Sequence, residues 1–356
     1  MDTTLQRFSD QIAEASASGA SLRIRGGGSK DWYGQDLHGT LLDTTVYRGI
    51  TDYEPTELVI TARCGTPLAE IEEHLTPHGQ MLAFEPPHFG PGATLGGMVS
   101  AGLSGPRRQA AGSVRDFVLG AALMNGRGEL LRFGGKVMKN VAGYDVSRLL
   151  TGSLGMFGLI AEVALKVLPK PVAELSLRLE MHQDEALRRL NEWGGQPLPI
   201  SASAWVDGVL AVRLSGARSA VDAARARLGG EVIDEADACW RSLREQDNAF
   251  FAEARQHSNG LWRLSLPSSA APLALPGTQL IEWGGAQRWL LTDADAATIR
   301  AAASQAGGHA TLFRGGARDA GVFHPLAPAV RTIHKQLKDA FDPAGVFNRG
   351  RMYREF

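Results

Sequence analysis

Cysteine is almost missing from this chain. The two that occur, Cys64 and Cys239, lie far apart and match no metal-ligand spacing, so both read as small hydrophobes rather than as ligands or a disulfide. Charge of one sign is missing as well. Against 37 Lys and Arg stand 38 Asp and Glu, a net −1, so no overall field draws the chain to nucleic acid or to an anionic membrane. No apolar run approaches the roughly 20 residues of a membrane span. The N-terminus lacks an apolar signal core; Leu5, Phe8, Ile12 and Ala15 instead recur at helical spacing behind Thr3-Thr4, the pattern of an amphipathic helix. The expected location is the cytoplasm, with membrane contact only through partners. With 356 residues the chain exceeds the roughly 250–300 at which single cores stop growing, so two domains are expected.

One absence is local. Between Pro86 and Gly105 there is no Asp, Glu, Lys or Arg, while six glycines fall from Gly90 to Gly105. A solvated loop usually carries charge, so a neutral stretch this long suggests a buried turn or a buried ligand. Glycines let backbone N–H groups approach closely and reach positive φ without strain, and clustered N–H groups make a concave site for phosphate oxygens. Taken alone, Phe84 to Ser113 is equally a glycine-rich loop packed on its own domain.

A second glycine cluster lies upstream. Ser21 to Arg25 alternates as a short strand and runs into Gly26-Gly27-Gly28-Ser29-Lys30. A P-loop needs two glycines separated by four residues and followed by Lys-Ser/Thr, and a Rossmann turn must open a helix. Neither condition is met. The cluster is a strand–loop–strand connection, which is a tight turn or a phosphate cradle without a helix. Further strands are expected at Leu41–Thr45 and Leu58–Ala62, then a helix with Thr66 as N-cap and Pro67 at its first position, carrying Leu68, Ile71 and Leu75 inward. Phe117–Met124 and Glu129–Phe133 flank Asn125-Gly126-Arg127-Gly128, a hairpin signal. Leu159 to Leu168 alternates with Leu159, Ala161, Val163, Leu165 and Val167 inward, and Pro169 and Pro171 mark the domain boundary.

From there to about residue 325, strand and helix patterns mix: strand Glu174–Glu180, helix Asp184–Trp193, a hairpin about Asp207-Gly208, a helix from Ala217 to Leu228, and later segments at Leu261–Leu266, Gln287–Leu291, Ala294–Ala306 and His309–Arg314. This is the pattern of an α+β domain with a helix-backed antiparallel sheet. Pro328 to Phe341 is a terminal helix with Val330, Ile333, Leu337 and Phe341 on one face, followed by an irregular tail.

Together these pieces resemble the FAD-linked oxidase family of the vanillyl-alcohol-oxidase / p-cresol-methylhydroxylase (PCMH) fold. Arg25-Gly26-Gly27-Gly28-Ser29, with Lys30, stands where that family has its first pyrophosphate loop. Pro91-Gly92-Ala93-Thr94-Leu-Gly96-Gly97, with Ser100, matches the second. Gly112-Ser113-Val-Arg-Asp116 matches the segment passing the flavin. Tyr144-Asp145, Gly152-Ser-Leu-Gly155 and Gly158-Leu-Ile160-Ala-Glu162 match the closing strand, where Ile160 takes the place of the residue touching the flavin. Phe341 to Asn348 is similar to the segment that returns to the FAD domain. Within the family, the Lys139–Asp145 block and the length most resemble the FAD-binding E-type subunits of bacterial glycolate oxidases. The resemblance implies a two-subdomain PCMH-type FAD-binding domain over 1–171, an α+β cap over 172–325 and a returning helix and tail over 326–356. It also implies a complex with a related FAD-linked catalytic subunit and an iron–sulfur subunit, acting on a small 2-hydroxy acid.

Two departures refine the expectation. Related D-2-hydroxyacid dehydrogenases carry a His-containing metal motif in the cap; here the comparable place reads Gly307-Gly-His309-Ala-Thr-Leu-Phe-Arg314-Gly315, with one His, a poor metal site. Covalently flavinylated relatives carry a His beside the first loop; Lys30-Asp31 stands there instead, so FAD is expected to be non-covalent. In a flavin enzyme oxidising a hydroxy acid, a base takes the hydroxyl proton and a cation holds the carboxylate. His309, Arg314 and His324 in the cap, and Arg349 and Arg351 in the tail, are the candidates. Three functions remain open: a catalytic subunit, a subunit that holds FAD for structure or electron relay, and a relic without flavin.

Overall fold

The computed structural model describes residues 2–135 and 145–356; the Lys139–Tyr144 part of the block quoted above lies outside them. The chain is α+β, and its strands fall mainly into a five-stranded and an eight-stranded sheet.

The N-terminal helix spans Thr3–Ser18 and is capped by Asp2, whose side chain accepts from the Thr4 N–H at 2.8 Å. It buries Leu5, Phe8, Ile12 and Ala15, the four positions that the spacing predicts. These pack with Leu22, Leu42, Val346 and Phe347. Strand Leu22–Arg25 pairs in parallel with Thr40–Asp43, and Leu22 bridges Phe347 on its other side. The returning tail is therefore held edge-on beside the strand that launches the first glycine loop.

The five-stranded sheet has the order Ile50–Glu54, Val59–Arg63, Leu159–Lys166, Val118–Met124, Leu130–Gly134, all antiparallel. Strand Ile50–Glu54, alternately half-buried at the edge, has no counterpart in the sequence reading. Helices Leu68–Leu75 and Leu95–Ala101 bury Leu68, Ile71, Leu75, Leu95, Met98 and Val99 in the core of this sheet. The expected cap of the first helix is corrected: Pro67 occupies the N-cap, and the Thr66 hydroxyl instead accepts from the Gly49 N–H at 2.9 Å.

Leu159–Lys166 does not alternate simply. Its pairing with Val118–Met124 slips where Ala122 opposes Glu162 and Leu123 opposes Ile160, so one extra residue enters the strand as a bulge. The bulge changes which face each residue meets. Leu159 and Ala161 pack toward the N-terminal helix, whereas Ile160 joins Val163 and Leu165 on the opposite face. Ile160 thereby points into the cleft described below.

The second sheet runs in the order Glu231–Val232, Ala173–Glu180, Val209–Gly216, Ile200–Val206, Thr278–Glu282, Gln287–Leu291, Leu261–Ser265, His309–Arg314. Helices Ala236–Glu245 and Ala249–Gln256, absent from the sequence reading, bury Trp240, Leu243, Phe250 and Phe251. These join Tyr33, Ala101, Leu103 and Leu154 in one cluster, so the glycine-rich stretch is packed between the two sheets.

Candidate cofactor site

Two glycine loops abut. A Cβ on Gly27 would lie 1.5 Å from the Gly92 carbonyl oxygen, and one on Gly26 would lie 2.2 Å from the Thr94 hydroxyl. The first loop leaves strand Leu22–Arg25 and closes through the Arg25–Asp31 ion pair at 2.6 Å. Gly28 sits at φ +75° with its missing Cβ directed at the Arg25 guanidinium. Among the described residues, the backbone N–H groups of Gly26, Gly27, Gly28, Ser29 and Lys30 donate to no protein acceptor. Gly27 is exposed and the other four are half-buried, so these donors are open to the cleft rather than sealed in the core. Facing an anion, they form a nest of partial positive charge.

The second loop supplies the facing wall. Thr94 caps helix Leu95–Ala101 and accepts from the Gly97 N–H at 3.4 Å. The Leu95 and Gly96 N–H groups are already spent on the Thr66 and Cys64 carbonyls, at 2.9 and 2.8 Å. A Cβ on Gly96 would lie 2.7 Å from that of Cys64, so this glycine lets the helix close on the strand end.

The cleft between the loops has about 760 Å³ of empty space, the open solvent at its mouth included. Of the residues expected to bind the cofactor, Arg25, Gly26, Gly27, Gly28, Ser29, Lys30, Thr94, Gly96, Gly97, Ser100 and Ile160 line it. Pro91, Gly92 and Ala93 stand behind the wall; the Ala93 carbonyl accepts from the Leu68 N–H at 2.9 Å. Gly112, Ser113 and Asp116 do not line the cleft. They form a capping box for the short helix Val114–Phe117, with the Ser113 N–H and hydroxyl donating to Asp116 Oδ2 at 2.8 and 2.7 Å.

Several lining residues escaped the sequence reading: Leu37, Thr44, Cys64, Leu154 and Asn348. Asn348 accepts from the Ile24 N–H at 2.9 Å and donates to the Leu154 carbonyl at 2.6 Å, so the tail ties two cleft walls together. Its place in the Phe341–Asn348 segment was the available signal. Burial pushes the Cys64 thiol up to about 12, so it stays protonated and unreactive. Lys30 reaches the rim, donating to the Ser29 hydroxyl and the His88 carbonyl, each at 3.2 Å. Burial lowers its ammonium to about 8, against the opposing charge of Glu245.

The five cationic candidates separate. Arg351 lies on the cleft wall, but its guanidinium donates to the Gln35 and Asp31 carbonyls and braces the first loop. Arg349 caps its own turn at Gly345 and Ala344. His309 and His324 face each other at 6.4 Å between ring centroids, and neither lines the cleft. Burial lowers both imidazoles. Arg314 stacks on Trp32, 3.8 Å from the ring centroid, just beyond the first loop.

Two interlocked glycine loops on a small parallel pair, with a row of unpaired N–H groups, are an arrangement suited to the phosphates of a dinucleotide, as in the class of dinucleotide-binding proteins. Residues 3–134 match the FAD binding domain family. A solved structure of alkyldihydroxyacetonephosphate synthase superposes over 96% of this chain and 75% of its own, with a TM-score of 0.66 at 14% identity, a likeness of fold. The glycolate oxidase subunit GlcE of Escherichia coli (strain K12) is 51% identical over 98% of this chain and 97% of its own length. Glycolate oxidase subunit GlcD of Bacillus subtilis (strain 168) is 39% identical over 24% of this chain and 18% of its own. The chain belongs to the FAD-linked oxidase family.

Proposed function

We propose that the chain is the FAD-holding subunit of a multi-subunit oxidase of glycolate or a similar small 2-hydroxy acid. What carries this reading is the row of five unpaired N–H groups from Gly26 to Lys30 on the cleft that Thr94, Gly97 and Ser100 also line. Two buried phosphates without a metal need many donors, each charge-assisted bond contributing about 1.5–3 kcal/mol. Residues 25–30, 94, 96, 97 and 100 would hold the pyrophosphate and ribose edges, with Pro91, Gly92 and Ala93 acting indirectly through that wall and Ile160 and Leu154 against the ring system. Gly112, Ser113 and Asp116 would act indirectly, by fixing the start of strand Val118–Met124. Bound FAD supplies the two-electron acceptor for hydroxy-acid oxidation. The partners in this reading are a related FAD-linked subunit and an iron–sulfur subunit, and any membrane contact runs through them. Residues 1–171 form the FAD domain, 172–325 the cap and 326–356 the returning segment.

The purified chain is expected to be yellow, with absorbance near roughly 450 nm from oxidised flavin, and acid precipitation should release the FAD. A colourless chain that takes up no added FAD would sink the reading. Bleaching by glycolate, with and without the sister subunits, then separates catalysis here from electron relay.

A further inference from the structure

Among the described residues, the cations on the wall of the cofactor cleft are not equally occupied. Arg25, Lys30 and Arg351 line it, with Asp31 as the acid among them. Arg25 and Asp31 cancel in their ion pair. Arg351 is committed to the Gln35 and Asp31 carbonyls. Lys30 differs from both. Its ammonium has three donors; the Ser29 hydroxyl and the His88 carbonyl take two of them, each at 3.2 Å, and among the described residues no carboxylate pairs with it. Glu245 is the acid whose charge reaches it. That carboxylate is already shared by the His88 and Phe89 N–H groups, at 3.1 and 2.8 Å, and by the Arg244 guanidinium at 2.8 Å.

The surroundings fix the ammonium where it is. The Phe89 ring has Lys30 and Arg314 each 5.4 Å from its centroid. Phe89 sits at φ +53°, a left-handed conformation that is costly for a bulky residue and persists only where the structure around it over-determines it. Here the Glu245 bond to its N–H does so. His88, whose carbonyl accepts from Lys30, is paired through its imidazole with Glu72 at 3.3 Å. An ammonium held in this way, half-buried and without its own acid, is costly unless a ligand supplies the anion.

We propose that the Lys30 side chain is the counter-ion of the dinucleotide's pyrophosphate, a full positive charge beside the amides from Gly26 to Lys30. The inference rests on the function proposed above and adds to it a dependence of FAD uptake on one proton. Burial lowers the ammonium to about 8 in the free chain, and a neighbouring dianion favours the charged form and raises it again. Below about pH 8 the charge is in place before FAD arrives. Above that, binding must draw a proton from solvent, so affinity falls by up to about tenfold per pH unit. Two other groups of the cleft, Arg351 and Cys64, titrate higher, at about 10 and about 12.

Fluorescence titration of the flavin-free chain with FAD, repeated from about pH 7 to about pH 9, tests the assignment. Wild-type affinity should be level up to about pH 8 and fall beyond it. Lys30→Met should bind FAD about 10- to 100-fold more weakly at the low end, the loss of one charge-assisted pair, and show no such fall. Lys30→Arg, charged throughout, should recover part of the affinity and stay level. Lys335→Met, at an exposed lysine of the terminal helix, should bind and titrate as wild type. A wild-type affinity that stays level, Lys30→Met binding as tightly as wild type or keeping its pH profile, or Lys335→Met weakening FAD as much, each overturns the proposal. Should Lys30→Met fail to fold by circular dichroism, Lys30→Arg showing the wild-type fall overturns it instead. A wild-type chain that takes up no FAD sinks the function itself; one that takes up FAD no better than Lys30→Met sinks this inference and leaves the function standing.

Discussion

Gly27 and Gly97 carry the same expectation in the sequence, that a Cβ would fill phosphate space. The structure separates them. At Gly27 the added atom meets the Gly92 backbone oxygen at 1.5 Å, so glycine is required by contact between the loops whether or not a ligand is present. At Gly97 it meets only the Thr94 hydroxyl, at 3.2 Å, and otherwise enters the cleft. Gly97→Val is therefore expected to leave the melting temperature of the FAD-free chain within a few degrees while lowering FAD retention at least tenfold. Gly27→Val should unfold the FAD-free chain itself. Calorimetry of both, with the flavin-to-protein absorbance ratio, decides; equal loss of FAD-free stability would refute the distinction. Glu282 was invisible in the sequence, because a lone Glu in a short strand carries no pattern. Burial raises its carboxyl from the ordinary 4.5 to about 7. The folded chain then holds a proton that the unfolded chain has lost between about pH 4.5 and 7, so this group's contribution to stability falls as pH rises through that window. Glu282→Gln, which keeps an acceptor for Trp289, should flatten that part of the stability–pH curve. An unchanged slope in urea titrations across the window would refute it.

At the scale of elements, local periodicity succeeded where a helix or strand buries one clean face and failed where polar groups do the docking. The N-terminal helix is the success. The terminal helix Pro328–Phe341 is the failure: its apolar stripe predicts Val330 and Ile333 inward, yet they are 43% and 55% exposed. Its docking into the core runs through Leu337, Phe341 and the buried Lys338 of its C-terminal half. The Lys338 ammonium donates to Asp342 and to the Met156 and Phe347 carbonyls at 2.7–2.8 Å, and Asp342 accepts from the Val346 and Phe347 N–H groups at 2.8 Å. An i,i+4 charge pair usually marks a solvated face, so the sequence offered no reason to bury it. Asp342→Ala would strand a buried ammonium and is expected to cost about 3–5 kcal/mol; Lys338→Met should cost less, since Asp342 keeps two N–H donors. Chemical denaturation measures both, and the reverse order would disprove the latch. Helices Ala236–Glu245 and Ala249–Gln256 were missed for a related reason. Each is short, and their stripes at Trp240-Leu243 and Phe250-Phe251-Ala254 lie within a charged run. Their docking also runs between segments far apart in the chain: Glu245 accepts from the His88 and Phe89 N–H groups at 3.1 and 2.8 Å.

Across the whole molecule, the glycine-rich stretch is more than a cradle wall; it is also the joint between the two sheets. Glu85 and Arg107, at either end of the neutral run, enter one ion network with Glu174 and Arg213 of the eight-stranded sheet. Glu85 accepts from the Arg107 N–H at 2.7 Å and from Arg213 at 2.9 Å, and Arg107 donates to Glu174 at 2.8 Å. The run lacks charge between Pro86 and Gly105 because its interior faces the cofactor cleft and the core, while the charges bounding it fasten it to the second sheet. Arg213, only 4% exposed in its side chain, would keep a single carboxylate at 3.9 Å if Glu85 were removed. Glu85→Ala is therefore expected to cost about 3–5 kcal/mol, the usual penalty for a buried cation losing its partner. Because Thr94, Gly97 and Ser100 hang between the two anchors, the same change should speed FAD release several-fold. Glu85→Gln, which keeps acceptor oxygen but not charge, should fall between wild type and Glu85→Ala on both scales. Thermal unfolding followed by flavin fluorescence and by circular dichroism reads both quantities in one experiment. If Glu85→Ala unfolds less stably but releases FAD at the wild-type rate, the network joins the sheets without governing the cleft, and the coupling between joint and cradle is refuted.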